Sequence, residues 1–459
     1  MTALADGRTA TQPSSVPQRA APVAPVDAHP GAVLAAILAG AVATIGLWWA
    51  DTPSVSGFGD WLTNAGRITG LLAGYGVVVL VALMARIPPL ERGVGADKLA
   101  RWHSMGGRYV VSLVAAHGLL IIWGYAVTAH TDVVSQTGTL LTSYPDVLMA
   151  TVAGLLLVGV GAVSARAARR RMRYETWYYL HFYTYLAVAL AFSHQFATGA
   201  EFMTDRAARV AWSALYVSVA AAIAWYRFVT PVRQAVRHRL RVETVVPEGP
   251  GVVSVSMAGR HLDELRAEAG QFFRLRVLTR DLWWAANPYS LSAAVQPGRM
   301  RVTVKDLGGH SRALAALPPG TRVVAEGPYG AMTAARRTRR QVLLIAGGIG
   351  ITPLRALLQT LPGDITLLYR VGREQDVVFR SELEQLALIR GATVHILTGH
   401  RHDLGYDPLS AAVLTANITD LRAHDVYVCG PGGMTAAVGA ALRTAGVPRR
   451  QIHSETFEF

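Results

Sequence analysis

The sequence predicts a multidomain protein: an all-α bundle of six transmembrane helices, then an antiparallel β-barrel domain, then an α/β domain with a parallel sheet. Three observations predict this fold class. Long apolar runs occupy the first half of the 459 residues, short alternating strands begin near Leu240, and strands then alternate with helices. Only 16% of the residues are charged, whereas soluble proteins carry about a quarter. A membrane domain followed by a soluble half is therefore expected.

The membrane half contains six apolar stretches that are each long enough to cross a bilayer, which takes about twenty residues. They lie near residues 32–50, 67–86, 105–129, 147–165, 177–197 and 208–229. The connecting segments alternate in charge, with basic segments at 86–101, 166–173 and 233–241 and cation-poor segments at 51–64, 131–146 and 198–205. Since basic loops stay in the cytoplasm, we expect a multi-pass protein of the cell membrane with both termini cytoplasmic.

Charge and cysteine content exclude several function classes. The net charge is +14, but the cations cluster beside apolar spans, which indicates membrane topology and a lipid bilayer as partner, with no nucleic acid. Cys429 is the only cysteine, so neither a disulfide framework nor a four-cysteine iron–sulfur site is expected. The first thirty residues lack an apolar stretch and are predicted to be a disordered tail.

Four membrane histidines form two pairs, His103 with His117 on the third span and His181 with His194 on the fifth. Both spans run in the same direction, so each membrane level receives one histidine from each helix. Two imidazoles at one level can hold a haem. The sequence predicts two haem b groups, an inner one ligated by His103 and His181 and an outer one ligated by His117 and His194. Isolated histidines bonded to neighbouring helices are the alternative, although ionisable groups at membrane depth are usually functional.

The fifth span presents a geometric difficulty. Fourteen residues of an ideal helix return to within about 40° of the starting face, whereas thirteen residues miss it by about 140°. An irregular turn or a tilt is therefore expected between His181 and His194. His130 has no partner and is expected at the interface or the acceptor site. Arg67 could pair with a haem propionate, guide an anionic acceptor, or be a snorkelling arginine.

The soluble half begins with five short strands that predict a small antiparallel barrel. They are Arg241–Val246, Val252–Met257, Gln271–Leu278, Met300–Lys305 and Arg322–Glu326. Between them lies Asn287-Pro288-Tyr289-Ser290, in which an aromatic followed by a hydroxyl suits a flavin ring. The turn from Gly308 to Ser311 opens a short helix whose backbone N–H groups suit a pyrophosphate.

The last part of the chain predicts a nucleotide-binding parallel sheet. The strand Gln341–Ala346 runs into the glycine turn 347–353 and a helix, an order that favours a nucleotide phosphate at the helix start. Further strands are expected at Ile365–Arg370, Thr393–Thr398 and Asp425–Cys429. Cys429 is either an inert buried thiol or a residue that faces the nicotinamide, because it ends a strand at the ligand-binding edge.

Together these motifs resemble the ferric reductase and NADPH oxidase superfamily, over about residues 30–459. In that family a six-span bis-haem domain is fused to a ferredoxin–NADP⁺ reductase-like module, and its members accommodate the thirteen-residue histidine spacing. The predicted tail and this resemblance together divide the chain into four segments. They are a tail at 1–30, a transmembrane haem domain at 31–232, an FAD-binding barrel at 237–332 and an NAD(P)-binding domain at 338–459.

The resemblance also implies residue roles. Tyr289 would stack on the flavin, Ser290 would lie near flavin N5, Cys429 would lie at the nicotinamide, and Phe457 (with Phe459 as second choice) would cover the flavin. The implied cofactor contacts are Asn287, Pro288, Tyr289, Ser290, Lys305, Gly308, Gly309 and Ser311 for FAD, and Gly347, Gly348, Gly350, Thr352, Pro353, Cys429, Gly430 and Pro431 for the nicotinamide nucleotide.

Two features of these motifs leave alternatives open. Asn287 stands where the family often has arginine or histidine, so Arg274 or Lys305 could supply the charge for the flavin phosphate. Arg370 and Arg373 follow a strand, where they could hold a 2′-phosphate and favour NADPH over NADH, or could be solvated surface arginines.

The sequence thus predicts an NAD(P)H-dependent flavocytochrome b oxidoreductase. Electrons would pass from cytosolic NADPH or NADH through FAD and two haems to an acceptor outside, which could be a ferric chelate, molecular oxygen or a redox protein partner. Two alternatives are a haem-free membrane protein, such as a transporter, with a reductase passenger, and a membrane-anchored flavin reductase that serves a redox protein partner.

Overall fold

The computed structural model describes residues 28–52, 55–165, 172 and 174–456. Three expectations fall wholly or mostly outside these residues: the disordered tail, the basic segment 166–173, and the aromatic residues Phe457 and Phe459. The described chain has a helical N-terminal part and a C-terminal part built from sheets and helices, as the sequence predicts.

The N-terminal part consists of helices joined by short connections. They are α1 Pro30–Ala50, α2 Phe58–Leu83, α3 Pro88–Val94, α4 Ala96–Thr128, α5 Val133–Ser143, α6 Val147–Ser164, α7 Tyr174–Thr198, α8 Ala200–Thr204 and α9 Arg206–Ile223, followed by a π-helical segment Ala224–Val229 and α10 Thr230–His238. Within the described residues, five helices are long and apolar enough to cross a membrane: α1, α2, α4, α6 and the continuous helix Arg206–His238. Helix α7, over the fifth predicted span, has 25 residues but is not among these five. The chain is therefore a multi-pass membrane protein.

Glycines allow α2 and α4 to pack closely. A side chain at Gly59 or Gly124 would meet backbone atoms of the opposite helix, and one at Gly66 would meet Ile121. Small residues at such contacts are typical of membrane helices, because lipid provides no hydrophobic force between them and close van der Waals contact replaces it. This packing places α4, which carries two of the predicted histidine ligands, directly against α2.

The middle of the chain forms two three-stranded antiparallel sheets, of order β1-β2-β5 and β4-β3-β6. The strands are β1 Arg241–Gly249, β2 Val252–Ala258, β3 Phe272–Val277, β4 Asn287–Ser290, β5 Arg299–Lys305 and β6 Val323–Tyr329. Single bridges join the sheets, between Arg241 and Arg322 and between Leu291 and Val302. Alternating apolar residues of both sheets, such as Phe273, Val302 and Ala325, share one core.

The C-terminal part is a five-stranded parallel sheet of order β11-β10-β7-β8-β9. Its strands are β7 Gln341–Gly347, β8 Asp364–Arg370, β9 Thr393–Leu397, β10 His424–Gly430 and β11 Ile452–Thr456, and its main helices are α11 Ile351–Thr360, α12 Arg380–Arg390, α13 Ala411–Asn417 and α14 Gly432–Thr444. Apolar clusters cover both faces of the sheet, which explains why β7 and β10 are almost continuously apolar. The edge strand β11 has no counterpart among the predicted strands.

The membrane helices and the sheets meet at a polar junction. Arg86, after α2, forms an ion pair with Glu326 of β6, and its guanidinium lies 5.9 Å from the ring centroid of Tyr329. Gln234 Nε2 of α10 donates a hydrogen bond to the Gly327 carbonyl at 2.6 Å, and Arg336 donates one to the Arg92 carbonyl at 2.9 Å. The segment between α2 and α4 thus carries much of the contact with the reductase half.

Candidate functional site

The structure brings the four membrane histidines together in the two predicted pairs. The ring centroids of His103 and His181 lie 5.9 Å apart, and those of His117 and His194 lie 6.3 Å apart. Helix α4 contributes the first member of each pair and α7 contributes the second. The pairing predicted from sequence depth is therefore the pairing observed.

In three of the four histidines, the Nδ1 atom already has a partner. His103 Nδ1 lies 3.0 Å from the Leu80 carbonyl, His117 Nδ1 lies 2.8 Å from the Gly66 carbonyl, and His194 Nδ1 lies 3.0 Å from Thr198 Oγ1. His181 Nδ1 has no hydrogen-bond partner among the described residues, and its ring stacks on Trp177 at 5.3 Å. A histidine that binds a metal commonly donates its other ring N–H to a carbonyl, so this pattern leaves Nε2 for a metal.

The separations of the rings fit a metal ion between each pair. Two metal–imidazole bonds of about 2.0 Å each, with half a ring on either side, place ring centroids about 6 Å apart. Neutral imidazole is also a recognised ligand of haem iron. The residues present therefore fit a bis-histidine haem at each level.

The thirteen-residue spacing is accommodated without an irregular turn, because α7 is α-helical from Tyr174 to Thr198. The two rings instead have contacts in opposite directions along the helix. His181 stacks on Trp177, four residues earlier, whereas His194 contacts Thr198, four residues later. Different side-chain directions thus bring both rings to α4.

The two polar residues singled out near the far membrane end have different surroundings. Arg67 donates hydrogen bonds to Glu201 and Asp51, each at 2.8 Å, and to Asn64 at 3.0 Å. Its charge is balanced inside the protein, so a bound anion is not needed to pair it. His130 is exposed beyond the end of α4.

The predicted flavin motif forms strand β4, paired with β3. Tyr289 is partly buried, and burial raises the pKa of its phenol to about 12, which keeps it neutral. The Ser290 hydroxyl is buried with no hydrogen-bond partner among the described residues. A buried hydroxyl without a partner is costly unless a ligand supplies one, so these residues fit a flavin ring.

The turn at Gly308 is held by hydrogen bonds of its own. The Gly308 N–H donates to Asp306 at 2.7 Å, the Leu307 N–H donates to Ser311 Oγ at 2.8 Å, and Ser311 Oγ donates to the Gly308 carbonyl at 2.8 Å. Gly308 and Gly309 both adopt positive φ, and no atom lies within 4 Å of a side chain added at either position. The backbone is therefore open to a ligand there.

A cavity of about 490 Å³ lies at the carboxyl end of the parallel sheet. Its lining residues include Lys305, Gly347, Gly348, Arg370, Arg373, Asp376, His400, Pro431 and Met434. A side chain at Gly347 would meet Met434 and Pro431, and one at Gly350 would meet the Cys429 carbonyl, so only glycine fits where these loops cross. The volume and position suit a nucleotide. Thr352 and Pro353 lie in the first turn of α11 and are buried.

The two arginines of the cavity are already engaged. Arg370 donates to the carbonyls of Val371 and Leu397 at 2.9 and 3.0 Å, and Arg373 forms an ion pair with Asp376 at 3.2 Å. Lys305, suggested for the flavin phosphate, lines this nucleotide cavity. Arg274 donates to the Ala286 carbonyl, next to the flavin motif, at 3.2 Å.

Cys429 is fully buried at the end of β10, and burial raises the pKa of its thiol. It does not line the cavity, whereas Pro431 and Met434 do. Sequence reasoning missed Glu455, whose carboxyl also acts on the Cys429 thiol and whose own pKa desolvation raises to about 8. Glu455 lies in a mostly polar segment, so the sequence gives no signal that singles it out.

Comparisons with known proteins agree with this division of the chain. The family described as ferric reductase like transmembrane component matches residues 69–192, and the oxidoreductase NAD-binding domain matches residues 344–439. The ferredoxin reductase component of 3-ketosteroid-9-alpha-monooxygenase from Mycolicibacterium smegmatis is 31% identical over 46% of this chain and 60% of that protein. Ferredoxin–NADP reductase B of Sorangium cellulosum is 28% identical over 49% of this chain and 99% of that protein.

Among solved structures, the flavohem-like FAD/NAD-binding domain of nitric oxide dioxygenase from Vibrio cholerae is similar, with a TM-score of 0.41 and 24% identity over 48% of this chain and 99% of that one. The matched curated monooxygenase component is covered over only about three fifths of its length. The resemblance inferred from the sequence is confirmed at the level of domains. The chain joins a ferric reductase-like transmembrane domain to a ferredoxin–NADP⁺ reductase-type module, which is the order of domains that the sequence motifs predict.

Proposed function

We propose that the protein is a transmembrane oxidoreductase that moves electrons from cytosolic NAD(P)H to an acceptor on the outer face. The observation that carries this proposal is the pair of histidine–histidine contacts, at 5.9 and 6.3 Å, in a membrane domain joined directly to an FAD- and NAD(P)H-type reductase module. When bound, FAD would exchange a hydride for single electrons and two haem b groups would relay those electrons across the membrane.

The chain's own residues bind and orient these groups. His103 with His181 would hold the inner haem, and His117 with His194 the outer one. The Leu80 and Gly66 carbonyls fix the rings of the two α4 histidines. Tyr289 and Ser290 would hold the flavin, with the proposed cover from Phe457.

At the nucleotide cavity, Gly347, Gly348 and Gly350 keep the backbone close to the ligand. Cys429 and Gly430 end the strand beside it, and Pro431 lines it. Arg370 and Arg373 are proposed to set the preference between NADPH and NADH.

The finer architecture belongs to the same proposal. Helix α7, which covers the fifth predicted span, is long enough to cross the membrane. It would bring the number of spans to six, and an even number would keep both termini in the cytoplasm. The single bridges between the two antiparallel sheets support one closed barrel. The domain limits 31–232, 237–332 and 338–459 follow the helices and sheets, although Arg206–His238 crosses the first limit as one helix.

A reduced-minus-oxidised absorption spectrum of the purified protein tests the proposal. Adding NADH or NADPH without oxygen should give a b-type haem signal that reoxidises when oxygen or a ferric chelate is offered. His181→Ala and His194→Ala should each remove about half of the haem, since each breaks one of two bis-histidine sites. The matched control is His130→Ala, because His130 is exposed. Absence of b-type haem from the wild-type protein would refute the proposal.

A second candidate function is a membrane-anchored flavin reductase that serves a redox protein. The similarity to a ferredoxin reductase component of a monooxygenase favours it. Under this alternative, His117→Ala and His194→Ala would leave electron delivery to the protein partner unchanged. Under the first proposal, both substitutions abolish reduction of an outer acceptor while flavin reduction persists.

A further inference from the structure

A basic groove lies where the last membrane helix enters the reductase half. Its volume is about 890 Å³, and residues from Trp225, Tyr226 and Thr230 to Arg239 line one side while Arg260, His261 and Glu264 line the other. Four arginines face it: Arg233, Arg237, Arg239 and Arg260. Glu264 is the one carboxylate in this lining, and it is bound to Arg237 at 2.5 and 2.9 Å.

The remaining arginines of the groove have no carboxylate partner among the described residues. Arg233 lies over the ring of Trp225 at 5.6 Å, and Arg239 donates to a backbone carbonyl at 3.3 Å. Arg260 is exposed at the opposite wall. The groove therefore carries an excess of positive charge that nothing in the described chain neutralises, and an anion is the ligand that fits.

The depth of the groove follows from the length of the helix. Arg206–His238 has 33 residues, which is about 50 Å at about 1.5 Å per residue, whereas the hydrocarbon core is about 30 Å thick. Because the last turns carry Arg233 and Arg237, they are the part of the helix expected beyond the core, in the headgroup layer. Trp225, half exposed, lies where an interfacial tryptophan is expected.

One side of α10 packs against the reductase half, and the other side is exposed. Pro231 and His238 are buried, and Gln234 donates to the Gly327 carbonyl. Val232 and Val236, one turn apart, are 62% and 64% exposed. Apolar residues exposed beside arginines at this depth are typical of contact with lipid.

We propose that this groove binds one anionic phospholipid of the leaflet that faces the reductase. Arg233, Arg239 and Arg260 contact its phosphate, and Val232 and Val236 contact an acyl chain. The lipid then connects the last membrane helix to the flavin-binding sheets. This site is independent of the haems and of the electron acceptor, and so does not depend on the proposed function.

The test uses the full-length protein in nanodiscs of phosphatidylcholine mixed with phosphatidylglycerol, with retained lipid counted by native mass spectrometry. The wild-type protein should retain phosphatidylglycerol in preference to phosphatidylcholine. Arg233→Ala combined with Arg260→Ala should reduce that preference roughly 30-fold, from about 1 kcal/mol per cation near an anionic surface. The matched control, Arg340→Ala with Arg450→Ala, removes the same charge from exposed positions in the nucleotide-binding part and should not change it.

A second arm separates a lipid from a soluble phosphate. Val232→Ser with Val236→Ser should weaken lipid retention because it removes the acyl contact, and added inorganic phosphate should not displace the lipid. Flavin content equal to wild type shows that each variant is folded. The proposal is overturned if the wild type shows no preference for phosphatidylglycerol, if the double arginine variant retains it like the control, or if the valine variant retains it fully while inorganic phosphate displaces it.

Discussion

At the scale of single residues, the surroundings of each histidine decide what it can bind. Carbonyls of α2 engage the Nδ1 atoms of His103 and His117, a hydroxyl of α7 itself engages that of His194, and His181 rests on an indole instead. Among the residues that the structure describes, the inner proposed site thus has one histidine whose Nδ1 has a hydrogen-bond partner and one whose Nδ1 has none. Hydrogen bonding to Nδ1 raises the basicity of an imidazole, so the His103–His181 pair would differ from the His117–His194 pair as a ligand set.

Gly70→Ala is expected to damage the outer histidine pair. A side chain at Gly70 would lie 2.6 Å from His117 Nδ1, and such overpacking typically costs about 1–3 kcal/mol. The ring would have to move, so we expect loss of about half the haem with unchanged flavin, measured by haem and flavin content. The matched control is Gly46→Ala, which should keep its haem because no atom lies within 4 Å of the added carbon. Equal haem content in the two variants would argue against this role for Gly70.

Glu455→Gln is expected to change the pH dependence of stability. Desolvation raises the pKa of Glu455 from 4.5 to about 8, so the folded protein keeps this proton to higher pH than the unfolded chain. The wild type should therefore lose stability as pH rises from 4.5 to 8, by at most about 1.4 kcal/mol per pH unit, and the glutamine variant should lack that decline. Apparent melting temperatures of both proteins across this range measure the difference. Parallel profiles would show that Glu455 is ionised in the folded state.

At the scale of elements, short segments between the helices determine how the two halves meet. The stretch from Arg86 to α3 reaches β6 and the segment after it, and α10 packs on the same strand. Burial raises the pKa of Glu91 in α3 to about 7, with Arg86 and Arg274 acting in the opposite direction. The junction is therefore a partly buried polar network, in which removal of one charge leaves others uncompensated.

Arg86→Ala is expected to weaken this junction. Its ion pair with Glu326 is largely buried, with side chains 13% and 6% exposed, and removing one partner of a buried pair typically costs about 3–5 kcal/mol. We expect a loss of stability at the lower end of this range, because a second arginine, Arg276, lies 3.8 Å from the Glu326 carboxylate. Unfolding measurements should show the loss, and haem reduction by NAD(P)H should slow more than flavin reduction.

The matched control for this substitution is Arg299→Ala. The bridge of Arg299 with Glu243 is exposed, at 65% and 32%, and such pairs contribute about 0–1 kcal/mol. A similar destabilisation by both substitutions would mean that burial of the Arg86 pair does not matter.

Regular elements were the part of the fold most accessible from sequence. Strand β7 ends one residue later than predicted, at Gly347, and β8 begins one residue earlier, at Asp364, because the pairing of the two strands continues past their apolar runs. Strand β4 was taken only as a motif, since four residues with a proline carry no periodicity. Strand β11 was missed because its residues Ile452–Thr456 alternate poorly, and pairing with β10 stabilises it.

At the scale of the whole molecule, the basic and cation-poor connections predict orientation. The connection that contains α5 carries no basic residue within Val133–Ser143, and the reductase half follows the last basic segment. By the positive-inside rule, this charge distribution predicts that α5 lies outside the cell and the sheets inside.

Cysteine labelling of intact cells tests that orientation. Cys429 is the only cysteine and is buried, so the wild type should give no background with a membrane-impermeant maleimide. Thr139→Cys, at an exposed position of α5, should react in intact cells, whereas Arg340→Cys, exposed before β7, should react only in inverted vesicles. The reverse pattern would place both termini outside.

The sequence by itself determined the apolar spans, the two histidine pairs and the order of the reductase motifs, because periodicity, charge and motif spacing are local properties. It left the thirteen-residue spacing unexplained, since side-chain direction is not encoded in residue intervals. Only the tertiary structure decided that α7 stays helical while its two histidine rings have contacts in opposite directions. It also decided the partners of Arg67, the surroundings of Glu455 and the basic groove beside α10, because each depends on contacts between segments far apart in the chain.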